Sequence, residues 1–377
     1  MSGSPTITTA RDPLNSVRRS PLTVGIDVTP TLAGHTGVAR YVRQLLSHLD
    51  DAGVTMRPYA IGRGEGDLPS GTRHVRVPLR AVHAAWRTIG WPGGRIVAGR
   101  CDVVHATDLV PPPSRVPAIL TIHDVAAAEY PELHPPRAVA IQRDQLERVR
   151  DVVDVVIADS RSTADGIVRA GVDPARVAVV PLGRSDLGAP SFDRVPPGPY
   201  FLAAGAIAAR KGLEVLVAAF AGAGLTGVRL VLAGPPGWGA ERVAAAVAAS
   251  PARGAIVMAG RVSDAEMAGL YQRCLAVCVP SWAEGFGFPV LEACAAAAPV
   301  IASDLAVLHE VGGGVPVYVP AGDVDRWSEA LATLAADAEL RTRLALAGPG
   351  QAAGFTWEKC AEATAAIYRR AAGQGAS

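Results

Sequence analysis

The sequence predicts an α/β fold in which two doubly wound parallel sheets face a cleft, and three observations support this. The chain has 377 residues, more than one hydrophobic core usually supports. Short apolar strands alternate with helical patterns, beginning with residues 22–28 and the helix that follows Gly37. The same alternation restarts at residue 200, after a stretch rich in Pro, Gly and Ser. We therefore expect two Rossmann-like domains of similar architecture.

These patterns divide the chain into five parts. The predicted parts are a polar disordered tail (1–20), an N-terminal domain (21–183), a linker (184–199), a C-terminal domain (200–355) and a C-terminal helix (356–377). The last helix repeats apolar residues at a helical period from Trp357 onward, so we expect it to pack on another element.

Composition excludes several classes of protein. A formal net charge of +1 gives no sign of a nucleic-acid partner. No stretch approaches the ~20 apolar residues that a membrane span needs, and the N-terminal tail lacks the apolar run of a signal peptide. The five cysteines are scattered and form no CxxC pair, which favours reduced thiols and a cytoplasmic location.

Residues 276–302 form the most informative stretch, which reads as strand, loop, helix and strand. Pro289 is predicted at the first helical position, where its missing N–H costs nothing. The loop before it brings free N–H groups and a positive helix end to one point, which suits a diphosphate. Glu284 and Glu292 flank this point, and carboxylates accept hydrogen bonds from sugar hydroxyls. Taken alone, Glu292 could be a first-turn helix carboxylate and Glu284 a solvated loop charge.

A second candidate is the pair Arg210-Lys211, which lies between the turn at Gly205 and the next helix. Two adjacent cations at a helix entrance are placed where a diphosphate would benefit. Lys211 is one of only two lysines in the chain. The alternative is an ordinary exposed basic pair.

In the first half, polar residues follow several predicted strands: His105, His123-Asp124 and Asp159-Ser160. Ligands of open parallel sheets bind beyond the carboxyl ends of the strands, so these residues indicate one wall of a cleft. His123 is the stronger candidate, because the segment 125–136 after it is long enough for an active-site loop. His105 is equally explained as a structural histidine. Gly37 is either a close-approach site for phosphate or sugar, or a plain turn glycine.

Residues 57–100 contain eight arginines against two carboxylates, together with Trp86 and Trp91. One hypothesis is a face for an anionic acceptor or an anionic membrane. The other is a solvated face above two core tryptophans. Further along, Asp323 and Asp325 superficially match a metal-binding motif, but helix capping explains them better.

Taken together, these motifs resemble those of the family 4 retaining glycosyltransferases of the GT-B fold, over residues ~22–370 in order. The resemblance rests on six motifs in chain order: Gly34-His-Thr-Gly-Val-Ala-Arg-Tyr41, Thr121-Ile-His-Asp124, Val180-Pro-Leu-Gly183, Gly205 with Arg210-Lys211-Gly212, Gly260-Arg-Val-Ser263, and Glu284-Gly-Phe-Gly-Phe-Pro-Val-Leu-Glu292.

The resemblance implies a nucleotide-sugar donor, no cofactor and no metal, and it assigns roles to residues. Catalytic positions would be His123 facing the donor sugar, Arg210 and Lys211 on the leaving diphosphate, and Glu284 orienting the hexose. Donor-binding positions would be Gly37, Gly205, Arg261, Val262, the loop residues Gly285, Phe286, Gly287 and Phe288 through their amides, and Glu292 on the ribose. The N-terminal domain would hold the acceptor, the C-terminal domain the donor, and the last helix would cross back to the N-terminal domain.

The first-half motifs look most like those of bacterial enzymes that use GDP-mannose, so an α-mannosyltransferase is the leading expectation. Glucosyl- and rhamnosyltransferases that use UDP- or dTDP-sugars share the donor motifs, and sugar-nucleotide epimerases share the fold. The acceptor would be a glycan, a glycolipid or a small molecule. The protein would be cytoplasmic, with peripheral contact to the inner membrane face if the arginine-rich region serves that purpose.

Overall fold

The computed structural model describes residues 22–34, 36–64 and 66–373, and it contains two wholly parallel sheets. The predicted polar tail at 1–20 lies outside the described residues. The predicted class, α/β with two doubly wound parallel sheets, is confirmed. Within the described residues, no helix is both long and apolar enough to cross a membrane.

The first sheet has seven strands in the order β3-β2-β1-β4-β5-β6-β7. Its strands are β1 (Leu22–Asp27), β2 (Val54–Ile61), β3 (Arg73–Val75), β4 (Val103–Ala106), β5 (Ala118–Ile122), β6 (Val155–Ala158) and β7 (Val177–Val179). The central strands β4 and β5 are buried along their whole length, which explains their nearly continuous apolar sequences.

The second sheet has six strands in the order β10-β9-β8-β11-β12-β13. Its strands are β8 (Tyr200–Ala204), β9 (Arg229–Ala233), β10 (Ile256–Gly260), β11 (Ala276–Val279), β12 (Val300–Ser303) and β13 (Val317–Val319). Residues 180–199 join the two sheets without a helix or strand.

Helices cover the faces of both sheets. The helices are α1 (Gly37–Leu49), α2 (Leu79–Thr88), α3 (Gly94–Val97), α4 (Ala126–Glu129), α5 (Pro136–Val152), α6 (Arg161–Arg169), α7 (Leu213–Gly222), α8 (Ala240–Ala249), α9 (Asp264–Arg273), α10 (Phe288–Ala295), α11 (Ala306–Gly312), α12 (Val324–Ala336), α13 (Ala338–Ala352) and α14 (Trp357–Ala371). Short 3₁₀ turns lie at Thr29–Ala33, Pro131–Leu133, Pro174–Arg176, Ala209–Lys211 and Arg253–Ala255.

The last helix, α14, packs on α1 beside the first sheet. Its Tyr368 hydroxyl lies 2.6 Å from Nδ1 of His105 at the end of β4, and both side chains are fully buried. The apolar stripe of α14 therefore packs on the N-terminal half of the molecule, although α14 follows the second sheet in the chain.

Several helices begin directly after a residue whose side chain caps the first turn. Ser160 caps α6, Ser263 and Glu266 form a reciprocal capping box on α9, and Asp323 caps α12 by accepting from Arg326 N–H. The capping explanation of Asp323 is thus the one that the structure supports.

Some boundaries differ from the sequence predictions. Helix α10 begins at Phe288, one residue before Pro289, which the sequence placed at the first helical position. The segment 125–136 is not one open loop, since it forms α4 and a 3₁₀ turn before α5 begins. Trp86 is buried as expected, whereas Trp91 is exposed and so is not a core residue.

Candidate functional site

The strand order reverses at one point in each sheet, between β1 and β4 and between β8 and β11. Such switch points leave a crevice beyond the carboxyl ends of the strands, where ligands of doubly wound folds bind. The two crevices face each other, because Ser160 after β6 donates a hydrogen bond of 2.8 Å to the Gly285 carbonyl beyond β11. The candidate site is the cleft between them.

Glu284, Arg210 and Lys211 lie together in the cleft. Lys211 Nζ lies 2.5 Å from Glu284 Oε1, and Arg210 Nη1 lies 3.2 Å from Oε2. Ser281 donates a third hydrogen bond of 2.7 Å to Oε1. Arg210 also donates to the Ala283 carbonyl, so the 3₁₀ turn at Ala209–Lys211 is tied to the loop that carries Glu284.

Arg210 and Lys211 are not an ordinary exposed basic pair, because both bind the buried carboxylate of Glu284. Burial alone would raise the pKa of Glu284, but the positive charges of Lys211 and Arg210 outweigh it and lower the pKa to about 2. Glu284 is therefore ionised at neutral pH. Arg210 and Lys211 also feel the charge of Asp124, and burial lowers the pKa of Lys211. Two cationic side chains converge at this point, which suits a diphosphate.

The loop after Glu284 contributes backbone groups, and its aromatic side chains point into the core. Phe286 is buried and meets Phe288 and Phe355 edge-on at ring-centroid distances of 5.4 and 5.9 Å. Among the described residues, no protein acceptor takes the N–H groups of residues 285–288. Four free amides at the start of α10 can therefore meet an anion.

Gly285 lies at the closest approach of the two halves. A Cβ atom there would clash with the carbonyl oxygen of His123, and it would lie 2.8 Å from Cβ of Asp124. Only glycine lets the loop pass over the end of β5 at this distance.

Gly205 and Gly37 lie at two other edges of the cleft. Gly205 follows β8 and lines a small cavity together with Lys211 and Ser281. Gly37 is the first residue of α1, with Thr36 as the N-cap, and there is open space where its side chain would be. Both glycines leave backbone accessible to a ligand. Arg261 is exposed and Val262 is half-buried, just beyond the end of β10.

Glu292 has a partner that sequence reasoning missed. Arg40 of α1 reaches across the cleft, and its Nη1 lies 2.6 Å from Glu292 Oε1. Tyr271 donates to the other carboxylate oxygen at 3.0 Å. Arg40 also contacts Ser185 at 3.1 Å and Asp264 at 3.5 Å. Arg40 belongs to the motif that begins at Gly34, but no local pattern relates it to a glutamate 252 positions away.

His123 lies in the cleft floor with both ring nitrogens engaged. Nδ1 lies 2.6 Å from Asp159 Oδ2, and Nε2 lies 2.8 Å from the Thr107 carbonyl oxygen. The resemblance implies that this ring faces the donor sugar. It would do so while both ring nitrogens keep these two hydrogen bonds. His105 has the structural role that was left open for it: it is fully buried between Thr121 and Tyr368, and burial lowers its pKa to about 3.

A second contact across the cleft involves α6 and α11. The Glu310 carboxylate accepts from Arg161 N–H at 2.7 Å and from Ser162 N–H at 2.8 Å. A carboxylate at a helix N-terminus satisfies free amides and meets the positive end of the dipole. The sequence offers no signal for it, because cap and helix are almost 150 residues apart.

Both halves of the chain match glycosyltransferase family models. The glycosyltransferase family 4 model matches residues 35–185, and the model described as glycosyl transferases group 1 matches residues 198–337. The two matches fall on the two sheets and together span most of the chain.

The chain belongs to the family 4 glycosyltransferases.

Similarity to individual members is more limited. The family 4 chain is 28% identical over 287 residues to the O-antigen chain mannosyltransferase B of Escherichia coli, covering 71% of this chain and 74% of that protein. It is 40% identical over 124 residues to a D-inositol 3-phosphate glycosyltransferase of Kineococcus radiotolerans, which is 30% of this chain and 28% of that relative. The chain thus aligns with little more than a quarter of the length of that second protein.

The fold similarity extends over nearly the whole family 4 chain. A sucrose-phosphate synthase from Thermosynechococcus elongatus superposes with a TM-score of 0.74 at 21% sequence identity, over 93% of this chain and 99% of that one. At this identity the superposition establishes the fold. The expected GT-B architecture is confirmed.

Proposed function

We propose that the chain is a retaining, metal-independent hexosyltransferase that moves a sugar from a nucleotide sugar to a hydroxyl group of a glycan, a glycolipid or a small molecule. The observation that carries this proposal is the cluster of Arg210, Lys211 and Glu284 beside four free backbone amides. Cations and N–H groups bind the diphosphate, and carboxylates accept from the hydroxyl groups of ribose and hexose.

In the proposed reaction the acceptor oxygen bonds to the anomeric carbon on the face from which the diphosphate leaves. The bond between that carbon and the diphosphate oxygen breaks, and the acceptor proton passes to the departing phosphate oxygen. Arg210, Lys211 and the loop amides stabilise the charge that develops on the leaving group. Glu284 orients the sugar, Glu292 binds the ribose, and no side-chain nucleophile is required.

For the donor we propose GDP-mannose. The similarity to an O-antigen mannosyltransferase over most of both chains supports this choice. The match to an inositol phosphate glycosyltransferase is shorter and keeps UDP- and dTDP-sugars as the alternatives, with glucose or rhamnose as the sugar. A sugar-nucleotide epimerase on the same fold is the remaining candidate.

A thermal-shift screen tests the proposal directly. The purified protein is mixed with GDP-, UDP-, ADP- and dTDP-sugars, each with magnesium or with a chelator. A ligand that binds the native state raises the melting temperature, and we expect the largest rise with GDP-mannose, whether or not magnesium is present. No response to any nucleotide sugar would contradict the proposal, and a response that needs magnesium would contradict its metal independence.

Turnover then separates transferase from epimerase. The proposed transferase releases nucleoside diphosphate in proportion to added acceptor, and NMR of the product shows the anomeric configuration of the donor. Epimerisation or hydrolysis of the donor without acceptor would favour the alternative.

The region 77–100 supports a further part of the proposal, a peripheral contact with an anionic membrane at the cytoplasmic face. Ile89 and Trp91, between α2 and α3, are 71% and 59% exposed, and Ile96 in α3 is 51% exposed. The exposed arginines around them are Arg76, Arg80, Arg87, Arg95 and Arg100. Apolar side chains that insert at the headgroup level, surrounded by cations, are typical of proteins that bind acidic lipid surfaces.

Vesicle sedimentation tests this contact. We expect binding to vesicles that contain phosphatidylglycerol and little binding to phosphatidylcholine alone. Trp91→Ala should weaken the binding several-fold, whereas Trp238→Ala, which removes a 52% exposed tryptophan in the other half, should not. Equal loss in both variants, or binding independent of lipid charge, would contradict the membrane contact.

A further inference from the structure

We propose that Asp159 is a positioning residue that holds the His123 ring in one doubly protonated orientation at the floor of the cleft. The consequence for catalysis rests on the proposed sugar transfer, whereas the state of the ring does not. His123 then serves as a fixed cation, and it has no free nitrogen to act as a base.

The placement of these groups follows from the register of the first sheet. Thr107, His123 and Asp159 are each the first residue after their strand, and these strands, β4, β5 and β6, are parallel neighbours. The pairs Ala106 with Leu120 and Ile122 with Ala158 show how closely the strand ends align. The imidazole therefore lies along the edge of the sheet, between the Thr107 carbonyl and the Asp159 carboxylate.

The hydrogen-bond partners determine the protonation of the ring. The Thr107 carbonyl can only accept, so Nε2, at 2.8 Å, carries a proton. The Asp159 carboxylate also accepts, so Nδ1, at 2.6 Å, carries one too. A neutral ring could satisfy only one of these acceptors and would leave the other facing a lone pair.

The surroundings favour the ion pair over two neutral groups. Burial alone would lower the pKa of His123, but the charge and hydrogen bond of Asp159 outweigh it and raise the pKa to about 9. Burial raises the pKa of Asp159, and His123 opposes that rise. Without the imidazolium, a nearly fully buried carboxylate with its other oxygen unbonded would have no counter-charge.

The other titratable groups around the pair do not change this picture. Asp108 also raises the pKa of His123, and Asp124 acts on Asp159 in the same sense. The neighbours His105, Tyr41 and Cys360 are buried, and burial shifts the pKa of each toward its neutral form. Asp159 is therefore the carboxylate that hydrogen-bonds the ring and fixes its direction.

The ring and the backbone carbonyl of His123 each contact another part of the cleft. The edge of the ring meets Tyr41 at a centroid distance of 4.9 Å, so the ring is held on a third side. The His123 carbonyl is the atom against which Gly285 passes. A change in ring orientation would thus reach the loop that carries Glu284 and the free amides.

NMR titration of the histidine rings tests the first half of the inference without any turnover. In the wild type we expect one histidine, absent from the spectrum of His123→Gln, to stay protonated at pH 8. In Asp159→Asn the midpoint of that histidine should fall by at least two pH units. A His123 ring that is neutral at pH 7 in the wild type, or a midpoint unmoved by Asp159→Asn, would overturn the proposal.

The pH profile of sugar transfer tests the second half. Asp159→Asn should lose at least tenfold in kcat at pH 8 and recover part of it at pH 6, because its ring regains the proton there. Asp159→Glu should restore most of the wild-type profile. A matched control is Asp154→Asn, which removes the carboxylate that bonds Ala118 N–H at the opposite end of β6.

A double substitution decides whether Asp159 acts through His123. If it does, adding Asp159→Asn to His123→Gln causes no further loss of kcat. Full additivity, or a loss in Asp159→Asn that is the same at every pH, would overturn the positioning role. If the wild type itself transfers no sugar, the proposed function fails, and the titration still decides the state of the ring.

Discussion

Glu284 and Glu292 are both buried carboxylates, separated by seven residues, but their partners come from different parts of the molecule. Glu284 is held by Arg210, Lys211 and Ser281, all beyond the strands of its own sheet. Glu292 is held by Tyr271 from its own half and by Arg40 from the opposite half.

The two environments shift the pKa values in opposite directions. The cations beside Glu284 lower its pKa to about 2, whereas burial raises the pKa of Glu292 against the opposing effects of Arg40 and Tyr271. The Glu284 cluster is therefore complete within one domain. The environment of Glu292 depends on both halves of the molecule, because Arg40 comes from the opposite half.

Removing Lys211 should have the largest effect. Lys211→Ala takes away one of the two cations beside the proposed leaving group, and we expect kcat/KM to fall by about a hundredfold or more. The fold should persist, with a loss of stability on the order of 3 kcal/mol because Glu284 keeps Arg210. Kinetics and chemical denaturation measure the two effects.

The control for that variant is Lys359→Ala, which removes the other lysine of the chain from the exposed start of α14. We expect wild-type kinetics from it. Wild-type turnover in Lys211→Ala would refute the role assigned to Lys211.

Removing Arg40 should have a smaller effect on a different parameter. Arg40 is about one-third exposed, so solvent screens its interaction with Glu292. In Arg40→Ala we expect about a tenfold rise in the donor KM, or ~1.4 kcal/mol, with little change in kcat. Isothermal titration with the nucleoside diphosphate measures the same loss.

Arg43→Ala is the matched control, because Arg43 lies one turn along α1 and bonds the Gly34 carbonyl without touching Glu292. If Arg40→Ala and Glu292→Gln each weaken nucleotide binding but their effects add fully, the two residues are not coupled, and the difference drawn between the two glutamates disappears.

The contributions of the two glutamates to stability should change in opposite directions as the pH falls. Because the pKa of Glu284 is depressed in the folded state, its contribution to stability is complete above the unfolded pKa of ~4.3 and is lost as the pH falls toward 2. We therefore expect the melting temperature of Glu284→Gln to fall less steeply than that of the wild type between pH 5 and pH 3.

Glu292→Gln should behave differently, since a raised pKa contributes stability that is lost as the pH rises through the folded value. The melting temperature of Glu292→Gln, relative to that of the wild type, should therefore rise as the pH increases toward neutral. Parallel pH dependence in both variants would show that the two environments do not differ as described.

The smallest effect is expected at the Glu310 cap on α6. Glu310→Gln keeps an acceptor but removes the charge at the helix N-terminus, so we expect a loss of about 0.5–1 kcal/mol in the closed form. Small-angle scattering of the free protein should show a slight expansion, and no detectable change in either stability or size would exclude a role for this contact in closure.

Much of the fold followed from local sequence. Alternating apolar strands and helices predicted the parallel sheets, and Asp323 could be read as a helix cap because capping is a short-range interaction. Arg210, Lys211 and Glu284 could be grouped because each follows a strand of one sheet, and parallel strands bring their ends to one edge.

The parts that escaped prediction are contacts between distant segments. Arg40 with Glu292 and Glu310 with α6 depend on how the two halves of the molecule meet, which no local pattern specifies. Trp91 was grouped with Trp86 because both lie in one basic region, but only Trp86 faces the core. Periodicity cannot place a residue in a turn between two short helices.

Gly285 passes so close to the His123 carbonyl that the two halves can meet in this way only if residue 285 has no side chain. A methyl group at position 285 would act as a wedge between the halves, while the Glu284 cluster, which lies wholly on one side, would stay assembled. Gly285→Ala would therefore be a means to hold the two halves apart with an intact Glu284 cluster, and so to measure the proposed binding of the nucleotide sugar separately from the proposed transfer.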